Sequence, residues 1–216
     1  MLLVLLAVMP YAQAQTPLAN LANSMQAGSW AELAVNGISC FNQPGSDGNI
    51  LVYAANAGWD PITRRLLYAG NDHIDGSTTQ ADRFVIYDET TNTCSNQSPP
   101  PWSITGVTDH GYYHHAVNPA TGALYRRRMK EGFVWYQYLS GTWAQLPTNN
   151  VGEYDGACCG GAGWFQELNG FVYAQGGEFG GGSVYLFVPS TGAWTKLADN
   201  IAPLTGGTFT LGSQSA

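Results

Sequence analysis

The residues best suited to chemistry lie in one short stretch, 109–115, which reads DHGYYHH. A neutral imidazole can accept a proton or bind a metal, and a tyrosine hydroxyl can donate a proton. His110 and His114 could therefore act as bases, with Tyr112 or Tyr113 as the acid. The alternative is that these histidines are structural and form hydrogen bonds between packed strands.

A run of basic residues, 126–130 (RRRMK), stands out in a chain with a net charge of −7. In a strand, alternate side chains point to opposite faces, so Arg126 and Arg128 would face one way and Arg127 the other. Like charges in one strand repel, which favours a nearby anionic group from the protein or from a polyanionic ligand. The alternative is solvated charge at the end of a loop.

Two further clusters could bind a ligand. Asp72 and Asp75, with His73 between them, could hold a hard or borderline metal, although carboxylates in loops also commonly cap the backbone. Cys158 and Cys159 are adjacent and precede two glycines. A disulfide between them would form a flat apolar plate for a sugar, whereas the alternative is a tight start to a strand.

Composition restricts the class of protein. The 216 residues are 44% hydrophobic and only 11% charged, with seven Trp and twelve Tyr. Such a chain can bury a large core and does not resemble a disordered segment. The negative net charge argues against nucleic-acid binding, which requires a basic surface.

The N-terminus resembles a secretory signal. Residues 2–8 are apolar, too few to span a bilayer, and Ala12 and Ala14 form a small-residue cleavage site. We therefore predict a signal peptide over residues 1–14, cleavage after Ala14, and a secreted or periplasmic protein. A lead-in follows over residues 15–27, with a short helix at 18–22. Four Cys in an exported chain suggest disulfides, and of the three pairings one joins Cys40 to Cys94.

Three segments of the chain align without gaps: 83–94, 132–143 and 183–194. Each is an apolar strand followed by a turn, and their last residues, Cys94, Trp143 and Trp194, stand 49 and 51 residues apart. A period of about 50 residues is typical of a kelch-type propeller blade. Trp30, Trp143 and Trp194 would then pack between blades, the alternative being a role as ligand platforms.

These repeats predict an all-β propeller fold over residues 28–216, with three four-stranded blades near 49–102, 110–147 and 158–198. The second strands are predicted at 65–69, 123–128 and 171–175. Residues 28–33 repeat the closing pattern of residues 141–146, so we expect one N-terminal strand that completes the last blade of a ring. Residues 208–211 would begin a further blade, which predicts C-terminal truncation. The alternative is a short protein that closes a ring by self-association.

The chain resembles the kelch-type, galactose-oxidase-like propellers of secreted bacterial proteins. The matching motifs are Gly28-Ser29-Trp30-Ala31-Glu32-Leu33, Trp59-Asp60-Pro61, Gly70-Asn71-Asp72-His73, Asn118-Pro119-Ala120-Thr121-Gly122 and Gly176-Gly177. This family includes binding proteins, polysaccharide lyases and copper radical oxidases. The resemblance implies that oxidase activity would require Tyr and His ligands, of which Tyr113 and His114 are an adjacent pair.

In such propellers, the loop entering the inner strand and the loop joining strands two and three open on the same face. This arrangement would gather the candidate ligand residues on one rim: Asp72, His73, Arg126, Arg128, Cys158, Cys159 and Glu178. His110, Tyr112 and His114 would join them there. We therefore expect a carbohydrate site, in a monomer if the full ring is present.

The alternative function is a lyase acting on uronic-acid polymers, with His110, His114 and Tyr112 as acid and base and Arg126 neutralising the carboxylate. A copper radical oxidase is the third hypothesis. No cofactor is evident from the sequence, although a metal ion could bind. The expected partner is a carbohydrate or another extracellular ligand.

Overall fold

A computed structural model describes residues 15–41, 57–70, 83–103, 114–127, 134–147, 160–175 and 182–201. The predicted signal peptide and the predicted strand at 208–211 lie outside these ranges. So do eight predicted site residues, namely Asp72, His73, His110, Tyr112, Arg128, Cys158, Cys159 and Glu178.

The described strands form three antiparallel sheets of four, each with its strands in sequence order. Sheet one contains β1 (Gly58–Asp60), β2 (Arg65–Gly70), β3 (Arg83–Asp88) and β4 (Thr93–Asn96). Sheet two contains β5 (His115–Val117), β6 (Leu124–Arg127), β7 (Trp135–Leu139) and β8 (Thr142–Gln145). Sheet three contains β9 (Gly160–Phe165), β10 (Gly170–Gln175), β11 (Gly182–Val188) and β12 (Ala193–Ile201). The fold is all-β and propeller-like, as the repeats predicted.

Every sheet has two distinct ends. The lower end of a sheet is the end with the turns that join its first strand to its second and its third strand to its fourth. The upper end is where β2, β6 and β10 finish and where β5 and β9 begin. The inner strand β5 lies against both β1 and β9, so sheet two is flanked by the other two sheets.

Aromatic and aliphatic side chains fill both spaces between sheets. Between sheets one and two, Phe84 lies 4.7 Å from Tyr138 and 5.1 Å from Trp143, measured between ring centroids. Between sheets two and three, Trp135 packs on Phe171 and Trp194. The predicted packing roles of Trp143 and Trp194 are therefore confirmed.

The lower turns of sheets one and two touch each other at one point. The buried Asp60 carboxylate accepts hydrogen bonds from the backbone N–H of Ile62 and Thr63 in its own turn. Its oxygens also lie directly against Gly122, whose φ of 74° is in the left-handed region that favours glycine. A side chain at position 122 would be strained and would collide with the carboxylate.

The prediction of a closing strand at residues 28–33 is wrong. These residues form no strand, and Trp30 is 98% exposed rather than packed between blades. A strand needs a neighbour for its hydrogen bonds, and in the described part of the chain none lies beside residues 28–33. The segment instead reaches sheet one at Asn36, which forms an isolated parallel bridge with Thr93.

The N-terminal segment packs on the face of sheet one that points away from sheet two. Helix α1 (Pro17–Ser24) is longer than predicted and is capped by Thr16, whose hydroxyl accepts the N–H of Ala19. Farther along, Cys40 forms a disulfide with Cys94 of β4, with 6.0 Å between their Cα atoms. Cys40 and Cys94 are buried in one cluster with Val85, so the structure has one of the three pairings that the sequence left open.

In the part of the chain that the structure describes, α1 is the only α-helix, and it is too short to cross a membrane.

A second attachment of the N-terminal segment depends on ionisation of Glu89. This buried carboxylate accepts hydrogen bonds from Arg64 at 2.6 and 3.0 Å and from the Thr16 hydroxyl at 2.5 Å. The Arg64 hydrogen bonds, followed by that of Thr16, lower the pKa of Glu89 against the opposing effect of burial. The ionised carboxylate is therefore favoured in the folded state.

Ionisation of Glu89 should make the free energy of unfolding depend on pH in the acid range. Because its pKa is lower in the folded chain than in the unfolded one, its contribution is present above the unfolded value of about 4.3 and is lost as pH falls through the folded value. We expect Glu89→Gln to show a shallower loss of unfolding free energy on acidification than the parent. Urea unfolding at a series of pH values measures this, with the exposed Glu32→Gln as control. Identical slopes in the parent and Glu89→Gln would contradict the prediction.

Candidate functional site

His114 and Arg126, two of the predicted site residues, are described in the structure, and they lie side by side at the upper end of sheet two. His114 immediately precedes β5, and its carbonyl accepts the backbone N–H of Arg127 at 2.9 Å. The next residue, His115, is the register partner of Arg126. The end of β6 and the start of β5 thus bring the histidine pair and the arginine pair together.

These four side chains are inside the protein. His114, Arg126 and Arg127 are 0% exposed, and His115 is also buried. The idea that Arg126 and Arg127 are solvated at a loop end is therefore wrong. Sheet two has neighbours on both faces, so strand alternation sends Arg127 toward sheet three and Arg126 toward sheet one without exposing either.

The buried group on the sheet-three side is centred on Tyr173 of β10. Arg127 Nη1 donates to the Tyr173 hydroxyl at 2.8 Å, and its guanidinium carbon lies 5.3 Å from the ring centroid. The His114 ring meets the same tyrosine edge-on at 6.2 Å. The contacts of Arg127 and His114 with Tyr173 join the upper ends of sheets two and three. Within β6, the Arg126 guanidinium Nη1 donates to the Arg127 carbonyl at 2.6 Å.

The start of β9 is packed tightly against this group. A Cβ atom at Gly160 would lie 2.7 Å from the Tyr173 hydroxyl and 3.1 Å from the carbonyl oxygen of Ala174. Glycine at this position therefore allows close approach of the backbone. This agrees with the alternative given above for residues 158–161, in which the glycines form a tight start to a strand. Cys158 and Cys159 precede this glycine and lie outside the described residues.

The connections that meet the upper end carry the remaining predicted site residues. Segment 104–113 enters β5 and segment 148–159 enters β9, whereas segments 71–82, 128–133 and 176–181 leave β2, β6 and β10. Within the described ranges, no group of three or more His, Cys, Asp or Glu side chains could hold a metal ion. The roles predicted for Asp72, His73, His110, Tyr112, Arg128, Cys158, Cys159 and Glu178 stay predictions.

A cleft of about 560 Å³ opens at the lower end, between sheets two and three. Its lining includes Asn118, Tyr125, Gln137, Trp164, Asn169 and Ser190. We call this the lower cleft. None of the sequence motifs described above indicates a concave surface at this end of the sheets. A sequence feature that could have indicated the cleft is Trp164, a large aromatic residue one position before the end of β9.

Two stacked aromatic rings form the wall of the lower cleft. The rings of Tyr125 and Trp164 are 6.0 Å apart and 12° from parallel. Tyr125 is 1% exposed, and its hydroxyl accepts a hydrogen bond from Gln137 Nε2 at 3.3 Å. Burial raises the pKa of Tyr125, against a smaller opposing effect of that hydrogen bond. The phenol is therefore neutral at physiological pH.

Comparisons with known proteins reveal only distant similarity. No family model and no curated protein matches the chain. Among solved structures, it is similar to TolB from Acinetobacter baumannii, with a TM-score of 0.42 and 15% identity over 66% of this chain and 31% of that one. It is also similar to the GH74 xyloglucanase from Xanthomonas campestris, with a TM-score of 0.39 and 14% identity over 74% of this chain and 32% of that one. The chain thus spans about a third of the length of each of these structures, both of which are β-propeller-like.

Proposed function

We propose that this protein is an exported β-propeller of the kelch type that binds carbohydrate at the upper end of its sheets. One observation carries the proposal. The upper ends of sheets two and three are joined through Arg127 and Tyr173, and the connections that carry His110, Arg128 and Glu178 all meet this end. A ligand held there would contact residues from several connections positioned by a rigid base.

The residue types on these connections suit a sugar. Arginine supplies only hydrogen-bond donors, a carboxylate supplies only acceptors, and histidine can supply either. Sugar hydroxyls both donate and accept, so a mixed set of this kind can satisfy them. The alternative occupant of a basic surface, nucleic acid, is disfavoured by the net charge of −7.

Export and the kelch type are supported separately. Disulfides form and persist in oxidising compartments, and the Cys40–Cys94 bond links positions 54 residues apart. The apolar run at residues 2–8 fits a signal peptide. The four-stranded sheets in sequence order and the repeat of about 50 residues favour kelch blades over other antiparallel arrangements.

The alternative function is a lyase on uronic-acid polymers, which needs a base able to touch the polymer. His114 is completely buried beside Tyr173, and Arg126 is equally buried, so neither reaches the surface in this arrangement. Of the residues assigned above to the acid-base chemistry of the lyase, His110 and Tyr112 would then be left. Binding without turnover is therefore the function that this end supports better.

The test is binding of the purified chain to a panel of immobilised neutral and acidic polysaccharides, followed by calorimetry on the best ligand. Removing a charged hydrogen-bond partner of a ligand weakens binding by about 10- to 100-fold. We expect a loss of this size from Arg128→Ala and from Glu178→Ala. Arg65→Ala is the matched control, because Arg65 lies at the lower end of sheet one and pairs with Asp88.

The outcomes separate the hypotheses. Absence of binding to every polysaccharide would overturn the carbohydrate proposal. Binding that is unchanged in Arg128→Ala and Glu178→Ala would move the site away from the upper end. Ultraviolet-absorbing unsaturated uronates, formed by the parent and lost in His110→Ala, would establish the lyase instead.

A further inference from the structure

We infer that the lower cleft is a second binding site, built to take an uncharged saccharide. It lies at the opposite end of the sheets from the site proposed above and uses none of the same residues. The inference therefore stands independently of the proposed function. It is carried by an aromatic wall, a set of uncharged hydrogen-bonding groups and a cleft of suitable size.

The aromatic wall is fixed in place by the core. Trp164 is half-buried, pairs in register with Phe171 of β10, and packs on the cluster that contains Trp135 and Tyr173. Tyr125 stacks on it from sheet two. A pyranose ring has an apolar face of C–H groups that packs on an indole, and a preformed aromatic surface binds it at little cost in conformational entropy.

The polar groups come from turns whose backbone is well defined. Asn169 follows a short 3₁₀ helix, Gln166–Leu168, and has φ 46° and ψ 39°. Ser190 lies in the turn between β11 and β12 and is exposed. Within the described part of the chain, neither the side-chain amide of Asn169 nor the hydroxyl of Ser190 has a protein hydrogen-bond partner. An amide and a hydroxyl can each donate and accept, which matches the hydroxyls of a sugar.

Charge explains the choice of an uncharged ligand. Among the described residues that line the lower cleft, none has a charged side chain, and the phenol of Tyr125 stays neutral because burial raises its pKa. A uronate carboxylate would therefore enter without a cation to balance it, in a protein whose net charge is −7. Desolvating an unpaired carboxylate is costly, so the cleft should prefer neutral sugars to acidic ones.

The size of the cleft fits a small oligosaccharide. Its volume of about 560 Å³ falls within the roughly 300–1,000 Å³ of small-molecule sites. One or two sugar rings can therefore lie against Trp164 while reaching Asn169 and Ser190 at the turns. A disaccharide is accordingly the smallest probe that tests the whole cleft.

The experiment uses the full chain and three neutral disaccharides, cellobiose, maltose and lactose, with digalacturonate as the acidic match. Saturation-transfer NMR detects binding, and titration gives the dissociation constant. The first variant is Asn169→Gly, which removes the amide while glycine tolerates the positive φ. The second is Ser190→Ala at an exposed turn. Far-ultraviolet circular dichroism and thermal unfolding establish that each variant is folded.

We expect at least one neutral disaccharide to bind and digalacturonate to bind at least tenfold more weakly. Each turn variant should weaken binding by about three- to tenfold, which is the usual effect of losing one neutral hydrogen bond. Together, the two changes should nearly abolish binding. Arg128→Ala, at the upper end, should leave the dissociation constant for the disaccharide unchanged.

Several results would overturn the inference. No saturation transfer from any neutral disaccharide would exclude the saccharide, and binding of a proline-rich peptide in its place would assign the cleft to protein recognition. Equal affinity for digalacturonate would contradict the role of charge. Disaccharide binding lost in Arg128→Ala but retained in the Asn169→Gly/Ser190→Ala double variant would locate the only sugar site at the upper end.

Discussion

Truncating Trp135 to alanine is expected to lower the free energy of unfolding by about 3–5 kcal/mol, the usual cost of removing a buried aromatic side chain. Trp135 is 1% exposed, and its ring centroid lies 4.6 Å from that of Phe171 and 5.3 Å from that of Tyr173. The cavity would open at the centre of the interface between sheets two and three. Because whole domains are stable by only about 5–15 kcal/mol, the loss would be a large share of the total.

The matched control is Trp30→Ala, which removes the same side chain from a position that is 98% exposed. Its effect should stay within about 0.5 kcal/mol, as for other surface substitutions. Urea unfolding followed by circular dichroism measures both variants without depending on tryptophan fluorescence. Equal destabilisation by the two changes would contradict the packing described for sheets two and three.

The second large effect is expected from the disulfide. Replacing Cys40 and Cys94 together by alanine should lower the free energy of unfolding by about 4 kcal/mol, because the bond closes a long loop in the unfolded chain. The two cysteines are 54 residues apart in sequence. Urea unfolding under non-reducing conditions gives the difference, and adding reductant to the parent should reproduce it.

A matched pair of cysteines is available as control. The Cys158→Ala/Cys159→Ala double variant removes the adjacent cysteines and leaves the Cys40–Cys94 bond intact. We expect this variant to keep most of the parent's stability and to remain sensitive to reductant. A larger loss from this pair than from Cys40 and Cys94 would mean that the principal covalent constraint lies elsewhere.

Much of the fold could be predicted because short stretches of sequence are enough to specify its strands and turns. Apolar strands separated by Asn, Gly and Pro turns predict a hairpin wherever they occur, and the second strand predicted at residues 65–69 differs from β2 by one residue. The pairing of Cys40 with Cys94 was one of three alternatives, and the structure selects it. Exposure of Trp30 could not be predicted, because the repeat pattern identifies a strand without showing whether a neighbouring strand is present.

The candidate sites were harder to predict, because burial depends on contacts between distant parts of the chain. His114 and Arg126 carry chemically versatile groups, and their sequence context gives no sign that sheets one and three enclose them. The lower cleft was missed for a related reason. The sequence around Asn169 and Ser190 contains no motif that indicates a binding surface, and the packing of sheet three against sheet two is what forms the cleft that they line with Trp164.

The covalent link between the N-terminal segment and β4 also determines how the protein would carry mechanical load. Tension applied ahead of Cys40 would pass through the Cys40–Cys94 bond to the outermost strand of sheet one. Residues 41–93 would not be stretched, because the disulfide transmits the force directly from Cys40 to Cys94. β4 pairs with β3 over four residues, from Val85 to Asp88, and these hydrogen bonds would bear the force. In an oxidised chain pulled by its N-terminus, the contacts of Thr16 and Asn36 would part first, and the β3–β4 pair would bear the force next. In a reduced chain the force would pass instead into the residues that follow Cys40.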